Sequence, residues 1–177
     1  IDQYNQDIAD VVRQGRRNGK DWYLYEPAGL LDRLASRRYI EDPLARPSWW
    51  EEVGGAYKLP PELQALNPIP DSRFYQSGPT GRIKGGLFSL DGIHPTTIGY
   101  GIMAQEFIKI MQLAGVKFYQ NDGKTERTGD IKVDFKSLIA LDSLISKPPR
   151  SFSNTFGLIG QIDKNFNIFS GMLTASY

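Results

Sequence analysis

Apolar positions fall at helical spacing over the first stretch, IDQYNQDIADVVRQGRRNG, where Ile1, Tyr4, Ile8, Val11 and Val12 precede Arg16, Arg17 and the pair Asn18-Gly19. That pattern predicts an amphipathic helix with a glycine stop. The cations from Arg13 to Lys20 then sit where a helix C-terminus favours positive charge. DWYLYEP follows as an aromatic-rich run closed by a proline, which predicts a short buried strand. AGLLDRLASRR places Leu30, Leu31 and Leu34 on one face of a second helix. The order helix, strand, helix is an α/β rhythm, although no sheet partner for the strand is evident.

The pattern changes over residues 41–86, where Pro43, Pro47, Pro60, Pro61, Pro68, Pro70 and Pro79 interrupt any sustained period. A long loop is expected there, with one turn of helix at PPELQAL opened by Pro61. A loop of this length is a candidate lid, binding segment or ordered linker. Trp49 and Trp50 either line a cleft or cover a core edge. Helical spacing returns in TTIGYGIMAQEFIKIMQLAG, with Ile98, Ile102, Ala104, Ile108 and Met111 near one face, Thr96 or Thr97 as N-cap, and Gly115 as the stop. Gly99 and Gly101 weaken that helix and are expected to permit close approach by another element. Beyond it, VKFY is a candidate strand and NDGKTERTGD a polar loop. VDFKSLIALDSLIS is helical through Phe135, Leu138, Ile139, Leu141 and Ile145, and FGLIGQIDKNFNIFSGMLTASY carries one or two further amphipathic helices.

Composition narrows the classes. A chain of 177 residues, 40% hydrophobic, can bury the core of one ordinary domain. With 21 basic and 20 acidic residues the net charge is +1, so no nucleic-acid partner is indicated. No apolar run approaches the roughly 20 residues of a membrane span, and no signal segment is legible. The absence of cysteine removes disulfides, thiolate metal sites and a cysteine nucleophile, and leaves the compartment open. The chain starts on Ile1 inside a helical pattern, so processing or further residues upstream are expected.

The candidate chemistry lies in FSLDGIHPTTIGYG, which holds the chain's one histidine, His94, three residues after Asp91. A histidine can take a proton from a hydroxyl nucleophile and return it to a leaving group if a carboxylate fixes its tautomer and stabilises the imidazolium. Gly92 eases a turn that would bring Asp91 to Nδ1 and leave Nε2 for chemistry. Spacing alone is weak evidence, and a capping aspartate with a structurally bonded histidine is the commoner meaning of a lone Asp-x-x-His.

The longer string FSLDGIHPTTIGYGIMAQEFI resembles the C-terminal catalytic block of the SGNH, or GDSL-type, hydrolases: Asp-x-x-His-Pro followed by a helix containing small residues. Asp91, His94, Pro95, Thr96, Gly99 and the helix from about Ile98 match position by position. The close resemblance covers about residues 88–108, with a looser fit over 4–35. It implies an α/β/α sandwich with a parallel sheet, and ester hydrolysis by serine acyl transfer without metal or cofactor. His94 would act as base and then acid, with Asp91 as its orienter. On this basis residues 1–115 are expected to form the C-terminal part of an SGNH-like domain with few strands in this chain, and residues 116–177 a mostly helical extension.

The family's Gly-Asp-Ser block and its Gly-x-Asn-Asp-like block do not occur upstream of Asp91. Asp142-Ser143 in LDSL follows the histidine and falls in a helical pattern, Asp71-Ser72 lacks glycine context, and Asn121-Asp122 is a turn-like pair. The nucleophile is therefore expected from a missing N-terminal segment or another chain, with an ester as substrate. A non-catalytic binding or assembly module derived from a hydrolase is the alternative. A metal-dependent hydrolase built on His94 is weaker, because nitrogen-rich metal sites use two or three histidines. The extension's apolar faces are expected to pack on the hydrolase core or on a second subunit.

Overall fold

The computed structural model describes residues 2–40 and 42–150. Helices dominate, and the only sheet among the described residues is a two-stranded antiparallel ribbon. The chain is thus of mixed helix and strand.

Helix α1 spans Asp2–Arg17 and ends where Gly19 takes φ +74°, with the Lys20 N–H returning to the Gly15 carbonyl at 2.9 Å. This is the stop that Asn18-Gly19 predicts. DWYLYEP differs from expectation, since residues 20–26 run without a strand partner. Its aromatic rings bind through side chains instead: Trp22 packs on Gly15, and Tyr25 meets Phe107 edge to face at 5.6 Å. Helix α2, Pro27–Ala35, follows with Pro27 in its first turn and buries Leu30 and Leu34, while Leu31 stays exposed.

Residues 42–86 are more ordered than a proline-broken loop suggests. They hold a 3-10 turn at Pro43–Ala45 and helices α3, Trp49–Glu52, and α4, Pro61–Gln64. Pro43 and Pro61 each occupy the first turn, where a missing N–H costs nothing. Strands β1, Gln76–Gly78, and β2, Gly81–Lys84, close around Pro79-Thr80, with Gly78 opposite Gly81. Tyr57, Leu59, Leu63 and Tyr75 from this region are buried, as is Leu87 just after it. Trp49 and Trp50 cover an edge: Trp49 packs on Tyr39 at 6.1 Å, and Trp50 lies under Arg46 and donates to the Ser36 carbonyl at 3.1 Å.

Helix α5, Thr97–Leu113, runs through the centre with Ile98 and Ile102 fully buried. Its inner face includes Gln105, whose side chain accepts the Val133 N–H at 2.8 Å, while Ala104 turns outward. Both glycines permit close approach, since a Cβ at Gly99 would overlap the Leu87 carbonyl and one at Gly101 would overlap Leu138. Tyr119 makes an isolated bridge to Glu126 rather than a strand. The expected helix over 133–146 is two: α6, Phe135–Leu141, and α7, Ser143–Ser146, divided at Asp142. Phe135 joins Leu30, Leu34, Leu63, Leu87 and Ile102 in one core, so the described part of the extension packs on the preceding elements. The apolar stretch at 156–177 lies outside the described residues.

Candidate active site

The Asp91–His94 turn hangs between two anchors. Behind it, Phe88 bridges Pro95 antiparallel, and the Thr96 N–H donates to the Leu87 carbonyl at 3.0 Å. Ahead of it, Thr96 caps α5, its hydroxyl accepting the Gly99 N–H at 3.3 Å and donating to the Gly86 carbonyl at 2.7 Å. The ends of the loop are thereby fixed to the buried start of a helix. Gly92 takes φ +71° at the apex, and a Cβ there would overlap the ring of Phe74. Both facts require glycine at that point.

The tight turn delivers the pair. His94 Nδ1 lies 2.7 Å from Asp91 Oδ2. Asp91 Oδ1 accepts from the Ser89 hydroxyl at 2.6 Å, the Ile93 N–H at 2.9 Å and the His94 N–H at 3.0 Å. The Ser89 N–H closes the loop on the His94 carbonyl at 2.8 Å. These donors hold the Asp91 carboxyl well below its ordinary range, the Ser89 hydroxyl contributing most, then the His94 ring and the two backbone N–H groups. An ionised carboxylate only accepts, so the imidazole proton belongs on Nδ1 and the Nε2 lone pair is left for an incoming hydroxyl. The His94 side chain is 71% exposed, and among the described residues no serine hydroxyl is hydrogen-bonded to its ring.

The other candidates have structural duties. Asp142 of LDSL is buried and caps two helices, with Oδ2 accepting the Ile98 N–H of α5 at 3.0 Å and Oδ1 the Leu144 N–H of α7 at 3.1 Å. Asp71 is buried and braces Arg73, and it accepts the Gly85 N–H at 3.2 Å. The Ser72 hydroxyl takes a hydrogen bond from Arg38 at 3.4 Å. Asp122 closes a surface turn with Lys124 and Thr125. Among the described residues no three His, Asp or Glu side chains gather as a metal site. Ser89 is the partner that spacing did not single out, although its place two residues before Asp91 suits a hydroxyl reaching a neighbouring carboxylate.

A cleft of about 640 Å³ reaches this turn. Arg38, Ser72, Arg73, Phe74, Lys84 and Gly92 are among its walls, so Gly92, one of the two residues between Asp91 and His94, borders it. Tyr75, from the same cleft, is tied to α7 through its hydroxyl on the Leu144 carbonyl at 2.9 Å. No family model, curated protein or solved structure matches the chain.

Proposed function

We propose that this chain supplies the aspartate and histidine of a serine-type ester hydrolase related to the SGNH group, with the serine and oxyanion donors contributed from outside residues 1–177. The observation that carries the reading is the 2.7 Å contact of Asp91 Oδ2 with His94 Nδ1 in a turn that pins the carboxylate with three further donors. In the acyl-transfer scheme, His94 Nε2 takes the serine proton as the oxygen attacks the ester carbonyl. It then returns that proton to the departing alcohol, and the cycle repeats with water. Asp91 holds the ring and balances the imidazolium. The exposed imidazole is compatible with a nucleophile arriving from another segment.

The test is hydrolysis of short p-nitrophenyl esters by the natural protein that contains these residues. His94→Ala should lower kcat by at least about a thousandfold, and Asp91→Asn by about a hundredfold or more. Unchanged turnover in the His94 variant contradicts the assignment. The absence of a hydroxyl on the His94 ring among the described residues favours, as the second reading, a binding or assembly module that keeps the turn without using it. Natural protein with no esterase activity and an undisturbed Asp91–His94 contact would decide for that module.

A further inference from the structure

The cleft bordered by Gly92 has a one-sided charge. Arg38, Arg73 and Lys84 line it, and no aspartate or glutamate is among its walls. Arg73 is already balanced, because its Nε and a terminal nitrogen both donate to Oδ2 of the buried Asp71. Arg38 and Lys84 have no acidic partner among the described residues. Lys84 is moreover half-buried at the end of β2, where an unbalanced ammonium is costlier than on an open surface. Phe74 adds an apolar wall and packs on Gly92, while Ser72 adds a hydroxyl. Cations, a hydroxyl and an aromatic face together suit an organic anion, with a carboxylate or phosphate at one end and carbon at the other.

We propose that the cleft walled by Arg38, Phe74 and Lys84 beside the Gly92 turn binds an anionic group of the ester on which His94 acts, making esters that carry a carboxylate or phosphate its substrate class. This deepens the hydrolase reading and rests on it. Gly92, part of the cleft wall, is two residues from His94 and at most about 7.6 Å away along the Cα trace, so the cleft and the imidazole share one turn. A neutral ester would leave both cations unbalanced.

The proposal is tested by binding and by kinetics. Inorganic phosphate and, separately, succinate are titrated into the natural protein while the amide resonances of Gly92 and Lys84 are followed, with neutral succinamide as control. Saturable shifts with one or both anions, weakened roughly tenfold in Lys84→Gln and again in Arg38→Gln, are expected, and the two arms tell phosphate from carboxylate. In parallel, kcat/KM for the mono-p-nitrophenyl ester of glutarate is compared with that for p-nitrophenyl butyrate. The ratio should favour the anionic ester and fall roughly tenfold in Lys84→Gln. No saturable shift, or binding and preference that survive the Arg38/Lys84 double variant, overturns the proposal while an inactive His94→Ala leaves the hydrolase reading standing. Esterase activity that survives His94→Ala removes the hydrolase reading and the substrate role of the cleft together, even if the anion binds.

Discussion

The carboxylate of Asp91 is the residue on which the candidate site turns. It is exposed, yet four donors converge on it, and its pKa is lowered chiefly by the Ser89 hydroxyl and then by His94. A depressed carboxyl favours the ordered turn at pH above the unfolded value of about 3.9, and that contribution is lost only as pH falls through the lower folded value. The side-chain carbon of Asp91, followed by NMR, should therefore titrate below about 3.9, and Ser89→Ala should move the midpoint upward. A midpoint at or above the ordinary value, unmoved by Ser89→Ala, would show that the turn does not hold the carboxylate. Gly92 is tested separately, since alanine there must adopt a positive φ and displace Phe74. Gly92→Ala should cost at least about 1–2 kcal/mol by urea midpoint, with the slope unchanged.

At the scale of elements, one buried aspartate joins the site's helix to the C-terminal pair. Asp142 satisfies the second N–H of α5 and an N–H of α7, orphan donors at a buried helix start and a partly buried one. Asp142→Ala leaves both unpaired and should cost about 2–4 kcal/mol. Circular dichroism under urea checks this, and a loss under about 0.5 kcal/mol would mean that water replaces the cap. That double role was not legible in the sequence, where LDSL reads as part of one helix: local periodicity carries no information about an N–H contributed 44 residues away. What was legible is what local chemistry decides. A threonine cap, which the structure places at Thr96 rather than Thr97, the Gly19 and Gly115 stops, Pro61 at the start of α4 and the close approach at Gly99 and Gly101 each follow from a residue's own backbone or size. DWYLYEP failed as a strand because β-propensity describes a half-buried pleated surface, and no neighbouring strand pairs with it among the described residues. The stretch over 42–86 is more ordered than its periodicity suggests for the opposite reason. Its prolines open short elements rather than break long ones, and the Pro79-Thr80 turn closes a ribbon too short to show alternation.

Across the whole molecule, one core connects the turn to elements far along the chain. Leu34 of α2, Leu63 of α4, Leu87 beside the site, Ile102 of α5 and Phe135 of α6 belong to the same cluster. The position of His94 therefore depends on packing contributed by both the proline-rich stretch and the C-terminal helices. Phe135→Ala should cost about 3–5 kcal/mol and lower amide exchange protection at Leu63 and Ile102 together. Loss of protection confined to α6 would mean that these helices are an independent layer. No helix among the described residues is long and apolar enough to cross a membrane. If the Asp91–His94 pair activates a serine, as proposed, that serine reacts with a fluorophosphonate. Attack by an activated serine forms an O–P bond, breaks the P–F bond, releases fluoride and passes the serine proton to His94. In the natural protein that contains this chain, mass spectrometry after labelling should find one phosphonylated serine outside residues 1–177, with the labelling rate falling at least about a hundredfold in His94→Ala. No serine adduct, or an adduct that forms equally fast without His94, would contradict the account.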